Sequence, residues 1–244
     1  MIEHLRNPDF GIMPTILGIP AYTLFVGFGI IAGIIYYLAD AKTRDRKTEG
    51  VIEIVSAALI FGAIGSKLPI LIQGGELASI LYGKSILGGF IGGMIGVYTM
   101  KRIKHIKTKM GNVIAPAAAL GMAIGRLGCF FNGCCVGIPA SWGLDFGDGI
   151  LRYPTQLFET GFHLTAFVLL HSLKHKAVRP GILFKYYVLA YFVFRFFIEF
   201  IRINPRDYYG LTLYQLISLL GIVFVSLNLV LILKKPKEVV VNGD

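Results

Sequence analysis

Charge is scarce in this sequence. Only 16% of its 244 residues are Asp, Glu, Lys or Arg, whereas 55% are hydrophobic and the mean hydropathy is +0.68. A soluble domain of this size needs a far more polar surface, so the composition excludes an ordinary soluble enzyme and points to a polytopic membrane protein. The opening stretch MIEHLRNPDFGIMPTI lacks a basic segment followed by an apolar core. No cleavable signal peptide is expected there, and residues 1–16 read as an extracytoplasmic N-terminal segment. Fixed-period repeats, low-complexity tracts and long linkers are absent too, so one membrane domain over 17–233 with a cytoplasmic tail, 234–244, is the simplest organisation. Cysteine is nearly absent: Cys129, Cys134 and Cys135 are the only three. Their C-x4-C-C spacing matches no common zinc pattern, with His163 the one nearby candidate for a fourth ligand, so no metal is expected. The C-x-x-C of a thiol relay is missing as well. A structural disulfide and plain packing by small, soft side chains both fit.

What the sequence does have is apolar runs. A membrane-spanning helix needs about 20 predominantly apolar residues, and seven stretches are candidates: 17–39, 51–72, 85–100, 113–133, 155–173, 182–202 and 211–233. The third is short and glycine-rich and is expected to extend. The sixth is weakened by Lys185, Arg195 and Glu199. The expected fold class is an all-α integral membrane protein of about seven transmembrane helices. Basic residues orient it. Loops 42–47, 101–109 and 174–179, together with the tail, hold fifteen of the 24 Lys and Arg residues, all on the side reached after odd-numbered spans. The positive-inside rule then places the N-terminus outside and the C-terminus in the cytoplasm. The net charge of +10 is explained by topology, and its dispersal over short loops gives no support to nucleic-acid binding.

Several charges fall inside the spans, where each costs ~2.5–3.5 kcal/mol at the centre unless it meets a partner or a wet cavity. Lys67 in FGAIGSKLP, Arg126 in GRLGCFFNGCC, and Arg195, Glu199 and Arg202 in FRFFIEFIR all fall toward the outer ends of their spans. Gln156, Glu159 and His163, in YPTQLFETGFH, fall at similar depth. The spacing of 195, 199 and 202 puts those three on one helical face. Taken alone, Arg202 is expected to snorkel to the interface. Two or more cations at one headgroup-level depth imply an anion, and arginine suits lipid phosphate through bidentate hydrogen bonding and permanent charge. Gly88, Gly89, Gly92, Gly93 and Gly96 read mainly as small-xxx-small helix packing, with Gly88 and Gly89 able also to admit a ligand to the backbone. Gly125, Gly128, Gly133 and Gly137 read as a broken helix end whose freed backbone lines a cavity.

GRLGCFFNGCCVG resembles the signature of the prolipoprotein diacylglyceryl transferase family: glycine, arginine, an aliphatic, glycine, asparagine, phenylalanine, any residue, asparagine, any residue, glutamate. Arg126, Gly128, Phe130, Asn132 and Gly137 match. In family order, IPAYTLFVGFG resembles the first-span segment with its tyrosine, here Tyr22. GAIGSKL resembles the segment in which Lys67 stands where arginine is usual. RYPTQLFE, FRFFIEFIR and GLTLYQLIS resemble three further boxes.

The resemblance implies a seven-span bundle in the cytoplasmic membrane of a prokaryote, acting at its outer side. It implies transfer of diacylglyceryl from phosphatidylglycerol to the lipobox cysteine of a prolipoprotein, with no cofactor. Arg126, Arg195 and Glu199 would be catalytic, the last holding Arg195. Tyr22, Lys67, Gly88, Gly89, Asn132, Gly137, Gln156 and Arg202 would bind the substrate. Three departures stand out: Leu87 where the family has histidine, Cys129 in place of asparagine and Cys134 in place of glutamate. They leave open a paralogue with another acceptor or donor headgroup, a thiol role for Cys129 or Cys134, a non-catalytic phospholipid-binding or transport protein, and a membrane thiol oxidoreductase.

Overall fold

Residues 11–43, 50–72, 85–106, 111–176 and 179–234 are described in a computed structural model. The expected external residues 1–10, parts of the basic loops (44–47, 107–109 and 177–178) and the tail after 234 lie outside them. Helix forms at all seven expected stretches. These are α1 (Ala21–Thr43), α2 (Val51–Gly65) with a short α3 (Leu68–Ile72), α4 (Ile86–Ile103), α5 (Gly111–Phe131), α6 (Thr155–Leu173), α7 (Ile182–Ile198) and α8 (Leu213–Lys234). Four helical stretches are long and apolar enough to cross a membrane: Ala21–Asp40, Ile52–Ile72, Gly111–Phe131 and Leu213–Lys234. The helix at 155–173 falls short because it carries polar and charged residues, several of which the site below uses, and the one at 182–198 because it is only 17 residues long, ending where the chain tightens at Glu199.

Three boundaries differ from expectation. The first helix starts at Ala21, because residues 15–20 form a small hairpin of β1 (Thr15–Ile16) and β2 (Ile19–Pro20), turned by Leu17 and Gly18 at φ 52° and 77°. The sixth leaves α-geometry at Ile198, tightens into a 3-10 turn over Glu199–Ile201, and is extended at Arg202. The broken helix around Arg126 is not found. Instead α5 runs unbroken through Gly125 and Gly128, and the chain turns later, where Gly133 and Cys135 have φ 69° and 67°. The physical reason at Gly128 is close packing: a Cβ there would lie 2.7 Å from Phe25 Cβ and 3.2 Å from Tyr22 Cα.

The described residues divide into two compact units, one of residues 11–40 with 111–176 and 179–234, the other of the described residues between 41 and 106. In the second, α2 and α4 run antiparallel along a glycine seam. Gly88, Gly92 and Gly96 each present bare backbone to a carbonyl of Gly65, Phe61 and Ala57, respectively, that a Cβ would overlap. This is the small-xxx-small contact expected of the sequence.

In the first unit α1 packs antiparallel on α5, with Tyr22, Gly29 and Gly33 meeting Gly128, Gly121 and Ala117 in turn. Helix α5 packs on α6 and α7, and α7 on α8. A hairpin of β3 (Pro139–Asp145) and β4 (Leu151–Arg152) follows α5, anchored by Val136 and Phe146, with Phe130, Leu144 and Ile203 packed against them. On α8, Leu220, Phe224, Leu227 and Leu231 form an exposed apolar stripe at helical spacing, as a face against hydrocarbon requires. In this unit α5 and α7 finish where α6 and α8 begin, and polar side chains collect there.

The glycine contacts give a paired test. A Cβ on Gly29 would sit 2.5 Å from the Gly121 carbonyl oxygen, whereas one on Gly161 meets nothing within 4 Å. Gly29→Ala is expected to destabilise the protein by ~2 kcal/mol through overpacking. Gly161→Ala should leave stability unchanged or raise it by up to ~1 kcal/mol through helix propensity. Thermal unfolding in detergent micelles reads both, and the opposite order contradicts the α1–α5 contact.

Candidate anion-binding site

Three arginines and two glutamates meet where those helix ends converge. Arg126 comes from the last turns of α5, Glu159 from the second turn of α6, Arg195 from the end of α7, Glu199 from the 3-10 turn and Arg202 from the residue after it. All five are buried, none more than 7% exposed. Glu159 is the hub. Its Oε2 accepts a hydrogen bond from Arg126 Nη2. Its Oε1 accepts from Arg202 Nη1 at 2.8 Å and lies 3.7 Å from Arg195 Nη1. Glu199 closes the other side, with Oε2 2.8 Å from Arg195 Nη2 and 3.7 Å from Arg202 Nε. Glu199 Oε1 accepts from Asn204 Nδ2 and, at 3.1 Å, from Thr212 Oγ1.

Local chain geometry explains how the residues arrive. The four-residue spacing of 195 and 199 stacks them on one helical face. The 3-10 turn then swings Arg202 into extended backbone that bridges Gly137. That approach requires glycine: a Cβ at 137 would fall 2.7 Å from the Tyr153 carbonyl and 2.8 Å from that of Ile201. The expected snorkelling of Arg202 is therefore corrected, since its guanidinium turns inward to Glu159. The Arg195 guanidinium also lies 5.4 Å from the Tyr214 ring centroid, a cation–π contact.

Charge balance decides what the cluster can do. Ionised, it has three positive groups against two negative ones, so one positive charge is in excess. Among the described residues, Arg126 Nε, Arg195 Nη1 and Arg202 Nε are buried without a hydrogen-bond partner. Excess buried cation and spare N–H donors both favour an anion with several acceptor oxygens, for which the planar guanidinium is suited. Water-excluded surroundings strengthen such contacts.

The other expected residues are distributed as follows. Gln156 is fully buried; its Nε2 donates to the Cys134 carbonyl at 2.7 Å, while its Oε1 has no partner among the described residues. Asn132 is the first residue beyond α5, its backbone N–H bonded to the Gly128 carbonyl at 3.0 Å. Tyr22 is half-buried on α1 against the same turn. Cys129 Sγ lies 3.8 Å from Arg126 Nη1, and all three cysteines are free thiols. Lys67, Gly88 and Gly89 belong to the other unit. There Lys67 is half-buried in the turn between α2 and α3, the two glycines face α2, and Leu87 is 1% exposed. Glu159, legible in the sequence at the right depth, was not among the expected site residues. Its signal was that of an intramembrane carboxylate at the depth of three cations.

Comparison with known proteins identifies the family. A family model described as prolipoprotein diacylglyceryl transferase matches residues 11–232. The chain belongs to that family. Among similar proteins, the phosphatidylglycerol–prolipoprotein diacylglyceryl transferase of Clostridium tetani is 32% identical over 229 residues, covering 85% of this chain and 90% of its own length. Proteins of the same name from Clostridium botulinum and Finegoldia magna are 30% and 28% identical, each covering 91% of this chain and 96% and 94% of their own. The family's enzymes are transferases, and membership agrees with the apolar helices of a membrane protein.

Removing a partner from a buried ion network leaves uncompensated charge and costs ~3–5 kcal/mol. Glu159→Leu is accordingly expected to lower stability by about that amount. Combining it with Arg126→Met should recover more than ~1 kcal/mol, a coupling typical of residues in one network. Chemical unfolding of the four proteins of this cycle measures the coupling, and strictly additive losses contradict the pairing.

Proposed function

We propose that this protein transfers the diacylglyceryl group of phosphatidylglycerol to a cysteine thiol of a prolipoprotein, at the outer side of a prokaryotic cytoplasmic membrane. The observation that carries it is the buried arginine cluster with excess positive charge and unspent donors, in a chain whose relatives are named for that reaction. In this reading all seven helical stretches span the bilayer. Basic loops lie in the cytoplasm and the helix ends holding Arg126, Glu159 and Arg195 face outward.

The chemistry matches the residues. The acceptor thiol releases its proton to water, its sulfur attacks the glyceryl carbon bonded to the phosphate oxygen, the carbon–oxygen bond breaks, and glycerol phosphate leaves with the bond's electron pair on its oxygen. Charge grows on the bridging oxygen, where positioned guanidiniums stabilise the transition state more than the ground state. Arg126 and Arg195 hold the phosphate, Glu199 and Glu159 fix those arginines, and Arg202 completes the cradle. Gln156, Asn132 and Tyr22 orient headgroup oxygens.

Lacking the family's histidine at Leu87, the protein activates the thiol through the arginine field, since neighbouring cations stabilise thiolate. A thioether formed on Cys129 or Cys134 would have no route onward through this chemistry, which favours an external acceptor. No cofactor enters the reaction.

Purified protein supplied with acyl-labelled phosphatidylglycerol and a lipobox peptide should label the peptide and release glycerol phosphate in equal amounts. Arg126→Ala and Arg195→Ala should each slow both products by ~100-fold or more while the protein still inserts, the scale of losing one transition-state donor. Wild-type turnover in either variant contradicts the phosphate role. Released glycerol phosphate without labelled peptide indicates a different acceptor.

A further inference from the structure

The three cysteines converge on one point beside the arginine cluster. The Sγ atoms of Cys129, Cys134 and Cys135 all lie within 4.8 Å of one another, although sequence spacing alone argued against a metal site. A metal–thiolate bond of about 2.3 Å puts three sulfurs ~4 Å apart around a trigonal ion, so small rotations of these side chains suffice. A disulfide would join two of the sulfurs and leave the third alone, whereas a metal uses all three.

The loop is built to hold the sulfurs in place. The Cys134 N–H bonds the Cys129 carbonyl at 3.1 Å, Gln156 Nε2 holds the Cys134 carbonyl at 2.7 Å, and Thr155 Oγ1 holds the Cys135 carbonyl at 2.6 Å. Cys135 sits at φ 67°, the left-handed conformation that turns the chain back on itself. Cys129 is fully buried while Cys134 and Cys135 are half-buried, which leaves one open side for entry and for a fourth ligand.

Charge favours the same occupant. Three thiolates around a divalent ion leave a net charge of −1, and Arg126 Nη1 already lies 3.8 Å from Cys129 Sγ. We propose that Cys129, Cys134 and Cys135 form a three-thiolate site for a soft, filled-shell divalent cation, with zinc as the occupant. Because Arg126 contacts both Cys129 and Glu159, the bound ion braces the loop that adjoins the arginine cluster.

Full-length reduced protein in detergent, titrated with cadmium as a spectroscopic stand-in, should bind one ion per chain with sulfur-to-metal charge-transfer absorption. Zinc should displace it. Binding displaces thiol protons, so affinity should fall steeply on acidification. Cys129→Ser and Cys134→Ser should each weaken binding by ~100-fold or more, at least the loss seen for residues that merely support ligands. The exposed His105→Ala should change nothing. In the unaltered protein, zinc should block alkylation of Cys134 and Cys135, and a chelator should restore it, a readout that does not depend on any variant folding. No saturable binding with all three thiols reduced, binding indifferent to Cys129→Ser in a folded variant, or alkylation indifferent to zinc would each overturn the site.

Discussion

The Glu159 carboxylate is the contact on which the rest of the site depends. It stands between Arg126, Arg195 and Arg202, and without it three like charges would share a buried space. Burying ions costs several kcal/mol each unless their partners are well placed. Two carboxylates offset most of that cost for three guanidiniums but not all of it. The remaining positive charge and the unspent N–H groups give the site a standing preference for an anion. In the proposed reaction that anion is the phosphate of the lipid donor, and the imbalance belongs to the chemistry.

Backbone contacts carry this electrostatic arrangement. Arg126 is positioned by α5, and α5 lies close to α1 because Gly29, Gly121 and Gly128 present no side chains at the crossing. Arg202 is positioned by an extended segment that approaches Gly137 more closely than any side chain would allow. In hydrocarbon, where burial of apolar surface gives no drive for helices to associate, such close packing does most of the holding. The glycines and the arginines are thus two parts of one design: the first bring the helix ends together, and the second use the space so made.

Much of this was legible in the sequence, for stated reasons. Apolar stretches of span length located all seven helical regions, and charges at one depth marked Arg126, Arg195, Glu199 and Arg202. The boundaries were less legible, because a 3-10 turn at Glu199 and a hairpin at Leu17 depend on tertiary contacts that periodicity does not register. The glycines around Arg126 misled for a related reason: glycine in a helix signals either a break or a close approach, and here packing against Tyr22 and Phe25 decides for approach. Arg202 read as an interfacial residue because its partner, Glu159, is 43 residues away in the chain. The convergence of the cysteines was invisible for the same reason that ligand spacing is a weak guide in loops. The left-handed turn at Cys135 has no sequence signal of its own.

The central claim is that the buried cluster recognises phosphate by charge and hydrogen bonding together. Native mass spectrometry of the detergent-solubilised protein, presented with phosphatidylglycerol and the diacylglycerol of the same acyl chains, tests it most directly. Charge-assisted hydrogen bonds contribute ~1.5–3 kcal/mol each, so the account predicts a preference for phosphatidylglycerol of at least ~10-fold that disappears in Arg126→Gln. Equal binding of the two lipids, or a preference unchanged by Arg126→Gln, would contradict it.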